Sequence, residues 1–323
     1  MTVWMFPGQG AQRARMAAGL STAGPLLDEA RALLGTDLTR MCTTDADPVW
    51  DPETVQPALF VVGVATATAL LRHEPPPGAV IGHSFGEFTA LAAVGALTFE
   101  TGLRLTARRA RAMARCAGTG TAMAAVLGLS EAEVRGVCED IGAGGGVVEV
   151  SNVNSPEQIV IAGETAALDD AARRCRARGA FRIRPLRVPY AAHTNLMAPA
   201  AAEMREALEE ARIRRPRAAL YSCITGEATT DPGRIRELLV AGMTAAVDFC
   251  GAVRAAAREG HRAFVELGPG SPARLLGLVR AIVPELEPRL RLVSDDDEAR
   301  VPRPFQAARS APAQLDKAVE DGS

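Results

Sequence analysis

Apolar runs of four to seven residues alternate with longer amphipathic stretches along this chain, which is the pattern of strands feeding into helices. Thr2 to Phe6 predicts a buried strand. Residues 26–34 predict a helix, and 37–53 an irregular segment. Residues 54–72 predict a long helix carrying Leu59, Val62, Val64, Ala67, Leu70 and Leu71, which Pro75-Pro76-Pro77 ends. Gly78 to Ile81 predicts a second strand, Phe88 to Leu97 a buried helix, and Glu100 to Arg115 an amphipathic one.

After Gly118 the texture changes. Strands are predicted over Thr121–Leu127, Val147–Val153, Gln158–Ala162 and Phe181–Val188. Helices are predicted over Ser130–Ile141 and Glu164–Arg178, the first opened by Ser130 and Glu133 as a capping box. This β-α-β-β-α-β order is the ferredoxin-like split unit. Beyond it come a helix over 199–211, a strand over Ala219–Ile224, helices within 233–258 broken by a Gly242 to Asp248 loop, a strand over Ala263–Leu267 and a last helix to Ile282. The predicted fold class is therefore α/β: a hydrolase-like core with a parallel sheet flanked by helices, residues 1–117 and 189–293, interrupted by a small ferredoxin-like subdomain over 118–188. Residues 294–323, acidic and then rich in Pro, Ala and Arg, read as a disordered tail.

Composition narrows the function classes. The chain has 323 residues and a formal charge of −2, so nothing global points to nucleic acid or a membrane surface. Aromatics are only 4% and hydrophobic residues 48%, which favours close helix-on-sheet packing of small side chains. The six cysteines contain no C-x-x-C pair, and no stretch approaches the roughly eighteen apolar residues of a membrane span. The expectation is a reduced cytoplasmic protein with no metal site.

The chemistry centres on Gly82-His83-Ser84-Phe85-Gly86. A G-x-S-x-G turn between strand and helix is a nucleophile elbow, so Ser84 is the candidate nucleophile. An oxyanion hole needs a main-chain N–H from the residue after the nucleophile, Phe85, and another from a separate loop. Gln9 in Pro7-Gly8-Gln9-Gly10 is the best candidate, although that loop also fits a phosphate-binding glycine loop or a plain turn. On the helix over 100–115, Arg104, Arg108, Arg111 and Arg115 share one face as a solvated stripe. Arg109 instead falls among Leu105, Ala112, Met113 and Cys116. A guanidinium on that apolar face requires a carboxylate, either an internal one or that of a substrate. Of the four histidines, His193 follows a strand and precedes a helix, the best placement for a base, though an isolated histidine is as readily structural.

Five segments together resemble the malonyl-CoA:acyl-carrier-protein transacylases and the acyltransferase domains of polyketide synthases. They are Phe6-Pro-Gly-Gln-Gly-Ala-Gln12, Gly82-His-Ser-Phe-Gly-Glu87, Gly118-Thr-Gly-Thr-Ala-Met-Ala124, Asn152-Val-Asn-Ser-Pro156 and Glu266-Leu-Gly-Pro-Gly270. The resemblance implies a stand-alone acyltransferase working by ping-pong exchange, with Ser84 carrying the acyl group and His193 as general base and acid. It implies Gln9 and Phe85 as oxyanion donors, Arg109 as partner of the malonyl carboxylate, and Tyr190 and Ala192 beside the acyl group. A main-chain carbonyl of the late loop, at Gly242, would orient His193. It further implies no permanently bound cofactor, acyl-CoA as substrate, and a monomer that hands the acyl group to the phosphopantetheine of an acyl carrier protein in fatty-acid or polyketide biosynthesis.

Three departures stand out. Gly242 and Asp248 occupy a loop where the family usually has a glutamine and then Pro-Val-Arg. Tyr190-Ala-Ala-His193 matches neither extender-unit signature: small Ala192 leaves room for a substituted malonyl, while bulky Phe85 points to plain malonyl. Arg13 and Arg15 follow the first loop where smaller residues are common. The alternatives are a carrier-to-carrier acyltransferase or proofreading acyl hydrolase, and a non-catalytic docking subunit that uses the arginine stripe.

Overall fold

The computed structural model describes residues 1–45, 51–116, 120–269 and 273–293. The predicted tail, 294–323, lies outside the described residues, as do Gly118 and the boundary drawn at residue 117. The chain opens with β1 (Thr2–Phe6), then α1 (Ala23–Leu34), a short α2 (Thr39–Thr43) within the stretch read as irregular, and α3 (Pro52–Leu71). Asp51 starts α3 by accepting the Glu53 N–H, with Pro52 at its first position. β2 (Ala79–Gly82), α4 (Gly86–Ala93) and α5 (Phe99–Arg115) follow.

The small unit is built from β3 (Thr121–Leu127), α6 (Glu131–Ala143), β4 (Val148–Ser155), β5 (Gln158–Glu164), α7 (Thr165–Ala177) and β6 (Arg182–Pro185). Ser130 and Glu133 close the predicted capping box on α6. The remainder is α8 (Ala198–Glu210), β7 (Ala219–Tyr221), β8 (Ala228–Thr229), α9 (Pro232–Ala241), β9 (Val247–Asp248), α10 (Phe249–Arg258), β10 (Ala263–Leu267), α11 (Leu276–Ile282) and β11 (Leu290–Val293).

Two sheets result. The large one has the order β11-β10-β1-β2-β7-β8, parallel throughout except for β8 at the edge. Its central strands are apolar on both faces because both are covered. Trp4, Phe6 and Val80 pack with α3 and α5, while Val3, Met5, Ala79 and Ile81 pack with α10 and the small unit. The second sheet, β6-β3-β5-β4-β9, has the ferredoxin-like order over its first four strands. Its fifth strand, β9, comes from the core and pairs in parallel with β4 through Asn152–Val247 and Val153–Asp248. The Gly242–Asp248 segment, read as a loop, thus ends in a two-residue strand that ties the two sheets together.

Two readings are amended. By length and composition α3 does qualify as a membrane span, at 20 residues and mean hydropathy 1.7, because its scattered Thr, Pro and Gln hardly lower the average. It is nonetheless a core helix, with all but a few of its residues buried. The arginine stripe on α5 is not simply solvated. Arg104 pairs with Glu100 at 2.9 Å, and Arg108 reaches Glu203 at 3.4 Å and Glu206 at 3.6 Å on α8, where Arg115 also binds Glu203. Three of the four charges are thus paired within the molecule, while Arg104, Arg111 and Arg115 remain exposed.

Candidate active site

The C-terminal ends of β1, β2 and β7 meet at one edge of the large sheet, where ligands bind in open parallel sheets. The small sheet stands over that edge and leaves a cavity of about 280 Å³. β1 delivers the Pro7–Gln12 loop and β2 delivers the elbow. Ser84 is held at φ +56°, a left-handed conformation costly for a residue with a side chain, and the tight packing of its flanking glycines over-determines it. A Cβ at Gly82 would collide with the Glu87 amide and one at Gly86 with the Phe6 carbonyl. The turn therefore needs glycine at both sites.

His193 is held at φ +61°, so both members of the facing pair sit in left-handed backbone. Its Nε2 lies 2.8 Å from Ser84 Oγ and its Nδ1 lies 2.7 Å from the Gly242 carbonyl. A carbonyl only accepts, so Nδ1 carries the proton and Nε2 is left to accept from the serine hydroxyl. Burial first, then the charge of Arg109, push the imidazole down to about 3, against the pull of the Gly242 hydrogen bond. It is neutral near pH 7, the form in which Nε2 can accept a proton. Among the described residues the Gln9 and Phe85 N–H groups have no acceptor within the protein, and both residues line the same cavity as Ser84. Phe85 also heads α4, whose dipole favours negative charge there.

Arg109 is 3% exposed. Its guanidinium donates to Gln56 Oε1 at 2.9 Å and to Ser84 Oγ at 3.1 Å, and among the described residues no carboxylate is in ion-pair contact with it. Burial lowers its pKa to about 10, opposed by Tyr190 and Glu87, so it stays charged at neutral pH. Gln56, on α3 and 1% exposed, was not singled out by sequence reasoning. It donates to the Tyr190 hydroxyl at 3.3 Å, and Tyr190 donates to Gln9 Oε1 at 3.3 Å. One directed chain therefore runs from Arg109 through Gln56 and Tyr190 to Gln9. A polar residue inside an otherwise apolar helical run was the available signal. Tyr190 and Ala192, buried, form part of the cavity wall.

The remaining departures have local explanations. Asp248 caps α10, accepting the Gly251 N–H at 2.7 Å. Arg13 donates to the Pro269 carbonyl and so ties the first loop to the one after β10, while Arg15 pairs with exposed Asp45 at 3.3 Å. His83 turns away from Ser84 to bond Asn154 Oδ1 at 2.8 Å, and His261 packs edge-on to Tyr221 before β10. Among the described residues no cluster of three or more His, Cys, Asp or Glu could hold a metal ion.

A family model described as "Acyl transferase domain" matches residues 3–274. The chain is 34% identical over 294 residues to the malonyl CoA-acyl carrier protein transacylase of Haemophilus influenzae, covering 88% of this chain and 92% of that protein. Among solved structures, an acyl-carrier-protein S-malonyltransferase from Burkholderia pseudomallei superposes with a TM-score of 0.86 at 34% identity, covering 92% of this chain and 98% of that one. A malonyl-transacylase in complex with its type II PKS acyl-carrier protein gives 0.83 at 31% identity, covering 90% and 94%.

Proposed function

Since the chain belongs to the acyl transferase domain family, and is an acyltransferase, we propose that it moves a malonyl-type group from CoA to the phosphopantetheine thiol of an acyl carrier protein through a Ser84 ester. The observation that carries this reading is Arg109: a charged guanidinium, buried against the nucleophile and with no carboxylate in ion-pair contact among the described residues, is suited to an acyl group that brings its own. His193 Nε2 takes the Ser84 proton as Oγ attacks the thioester carbonyl, and the oxyanion falls to the Gln9 and Phe85 N–H groups. Collapse breaks the C–S bond, and the departing CoA sulfur recovers the proton from His193. The carrier thiol then repeats the steps in reverse, attacking the ester and returning the proton to Ser84. Enclosure of the ester by the small sheet limits hydrolysis.

The Gly242 carbonyl meets His193 in spite of the altered late loop, which answers one of the two motives for a carrier-to-carrier transferase or an acyl hydrolase; the other is the small side chain of Ala192. Intact-mass analysis after exposure to malonyl-CoA and acetyl-CoA tests the reading. A malonyl adduct is expected on the wild type and none on Ser84→Ala, and Arg109→Ala should lower malonyl loading on the order of a hundredfold while sparing acetyl. Equal losses for both acyl groups would refute the role given to Arg109.

A further inference from the structure

Glu87 is a buried ionisable group beside the nucleophile that this cycle does not use. It lies in the first turn of α4, is 5% exposed, and its Oε1 accepts the Cys223 N–H at 3.2 Å. Together with Ser84, Arg109 and Gly242 it borders a small internal cavity behind the nucleophile. Of the elements packed on α4, β1 and β2 contain no ionisable side chain and α3 contains only exposed Glu53. α5 presents Arg109, and the segment after β7 presents Ser222 and Cys223, whose thiol burial keeps protonated. Asp248, close enough to act on Cys223, is engaged in capping α10, and neutral His193 stands on the other side of Ser84.

Resting on the function just argued, we propose that Glu87 is the counter-ion of Arg109 in the unloaded enzyme and takes a proton from solvent when the malonyl carboxylate pairs with that guanidinium. Glu87 is thus a positioning residue, acting through Arg109 and not on the acyl group. The reason is charge balance in a low dielectric. One cation there compensates one anion, and a second carboxylate near the same guanidinium forces one of the two to protonate. The malonyl group holds the direct contact, so Glu87 gives way. Burial already raises Glu87 to about 7, against the Cys223 N–H, Arg109 and Ser222, so both of its forms are accessible near neutrality. Below that value Glu87 is protonated before substrate arrives and nothing is taken up. Above it, loading must draw in a proton, and KM for malonyl-CoA should rise up to about tenfold per pH unit while kcat does not follow.

The test counts protons with an indicator dye in weakly buffered solution, per acyl-enzyme measured by intact mass, for malonyl-CoA and acetyl-CoA. The acetyl arm subtracts protons released as free CoA thiol ionises. At about pH 8.5 malonyl loading should consume close to one proton more than acetyl loading, and near pH 6 the difference should vanish. In Glu87→Gln, whose amide oxygen can still accept the Cys223 N–H, the difference should be absent at either pH. Equal counts in the wild type at the higher pH, or a difference that survives in Glu87→Gln, would overturn the inference, and the wild-type arm does not depend on the variant folding. Loss of malonyl labelling itself is a separate result: it refutes the function, and this inference with it.

Discussion

His193 Nδ1 donates to the main-chain oxygen of Gly242 at 2.7 Å, so the ring is aimed by backbone and not by an acidic side chain. The contact is indifferent to the side chain at 242. Gly242 has φ −63°, allowed for any residue, and an added Cβ would meet the Leu238 carbonyl at 3.3 Å and Ile224 at 3.4 Å, contacts that need only a slight shift. Gly242→Ala should therefore keep malonyl transfer within about tenfold of wild type in steady-state assays. A collapse comparable to that of His193→Ala would show that the glycine matters for more than its carbonyl.

In the proposed cycle the neutral imidazole of His193, pushed down to about 3, sets the acid side of the rate profile. The base works when unprotonated, so a lowered pKa extends activity toward acid. The single-turnover acylation rate should show no inflection near the ordinary histidine value of about 6.5. Burial and then Arg109 hold the ring low, so Arg109→Ala should move the acid limb back up in pH. Rapid-quench acylation rates across pH, with acetyl-CoA as the common substrate, read the shift directly.

Gln56 connects the guanidinium to the wall of the cavity. Replacing it by Leu removes the acceptor of Arg109 and the donor to Tyr190 together; Tyr190 still donates to Gln9, but the buried Arg109 Nη1 loses its partner at a cost of about 1–3 kcal/mol. The expected outcome is a KM for malonyl-CoA raised about tenfold or more, with acetyl loading little changed, because the damage lies in aiming Arg109. Gln56→Glu, which keeps an acceptor for Arg109 but supplies an internal anion, should compete with the substrate carboxylate and depress malonyl loading further.

What the sequence disclosed and what it hid follow from the range of the interactions. The elbow is local: strand, paired glycines, serine and helix lie within a dozen residues, and the glycines are demanded by contacts inside that same window. Arg109 was visible because a 3.6-residue period separates it from the solvent-facing arginines. The ferredoxin-like order was visible in the alternation of short apolar runs and capped helices. Gln56 was not, because its partners Arg109 and Tyr190 come from other elements far along the chain. β9 was missed since two residues cannot display a period of two, and its pairing with β4 exists only once both units are folded. The ion pairs between α5 and α8 are likewise tertiary, so Arg108 and Arg115 looked solvated.

Asp248 replaces an arginine usual in the family and stands close to the segment that orients His193. The geometry gives it a local structural role, since its Oδ1 accepts the Gly251 N–H at 2.7 Å as the N-cap of α10, and its own N–H donates to the Cys223 carbonyl. Burial raises its pKa, against that Gly251 bond. Asn caps as well as Asp, and Ala typically costs about 1 kcal/mol. Asp248→Asn should thus leave both thermal stability and malonyl transfer near wild type, whereas Asp248→Ala should lower Tm by roughly 2–4 °C with kcat intact. Thermal melts and transfer assays on the same samples separate the two effects. A fall in kcat for Asn without a fall in Tm would reveal an electrostatic role that the helix cap does not supply.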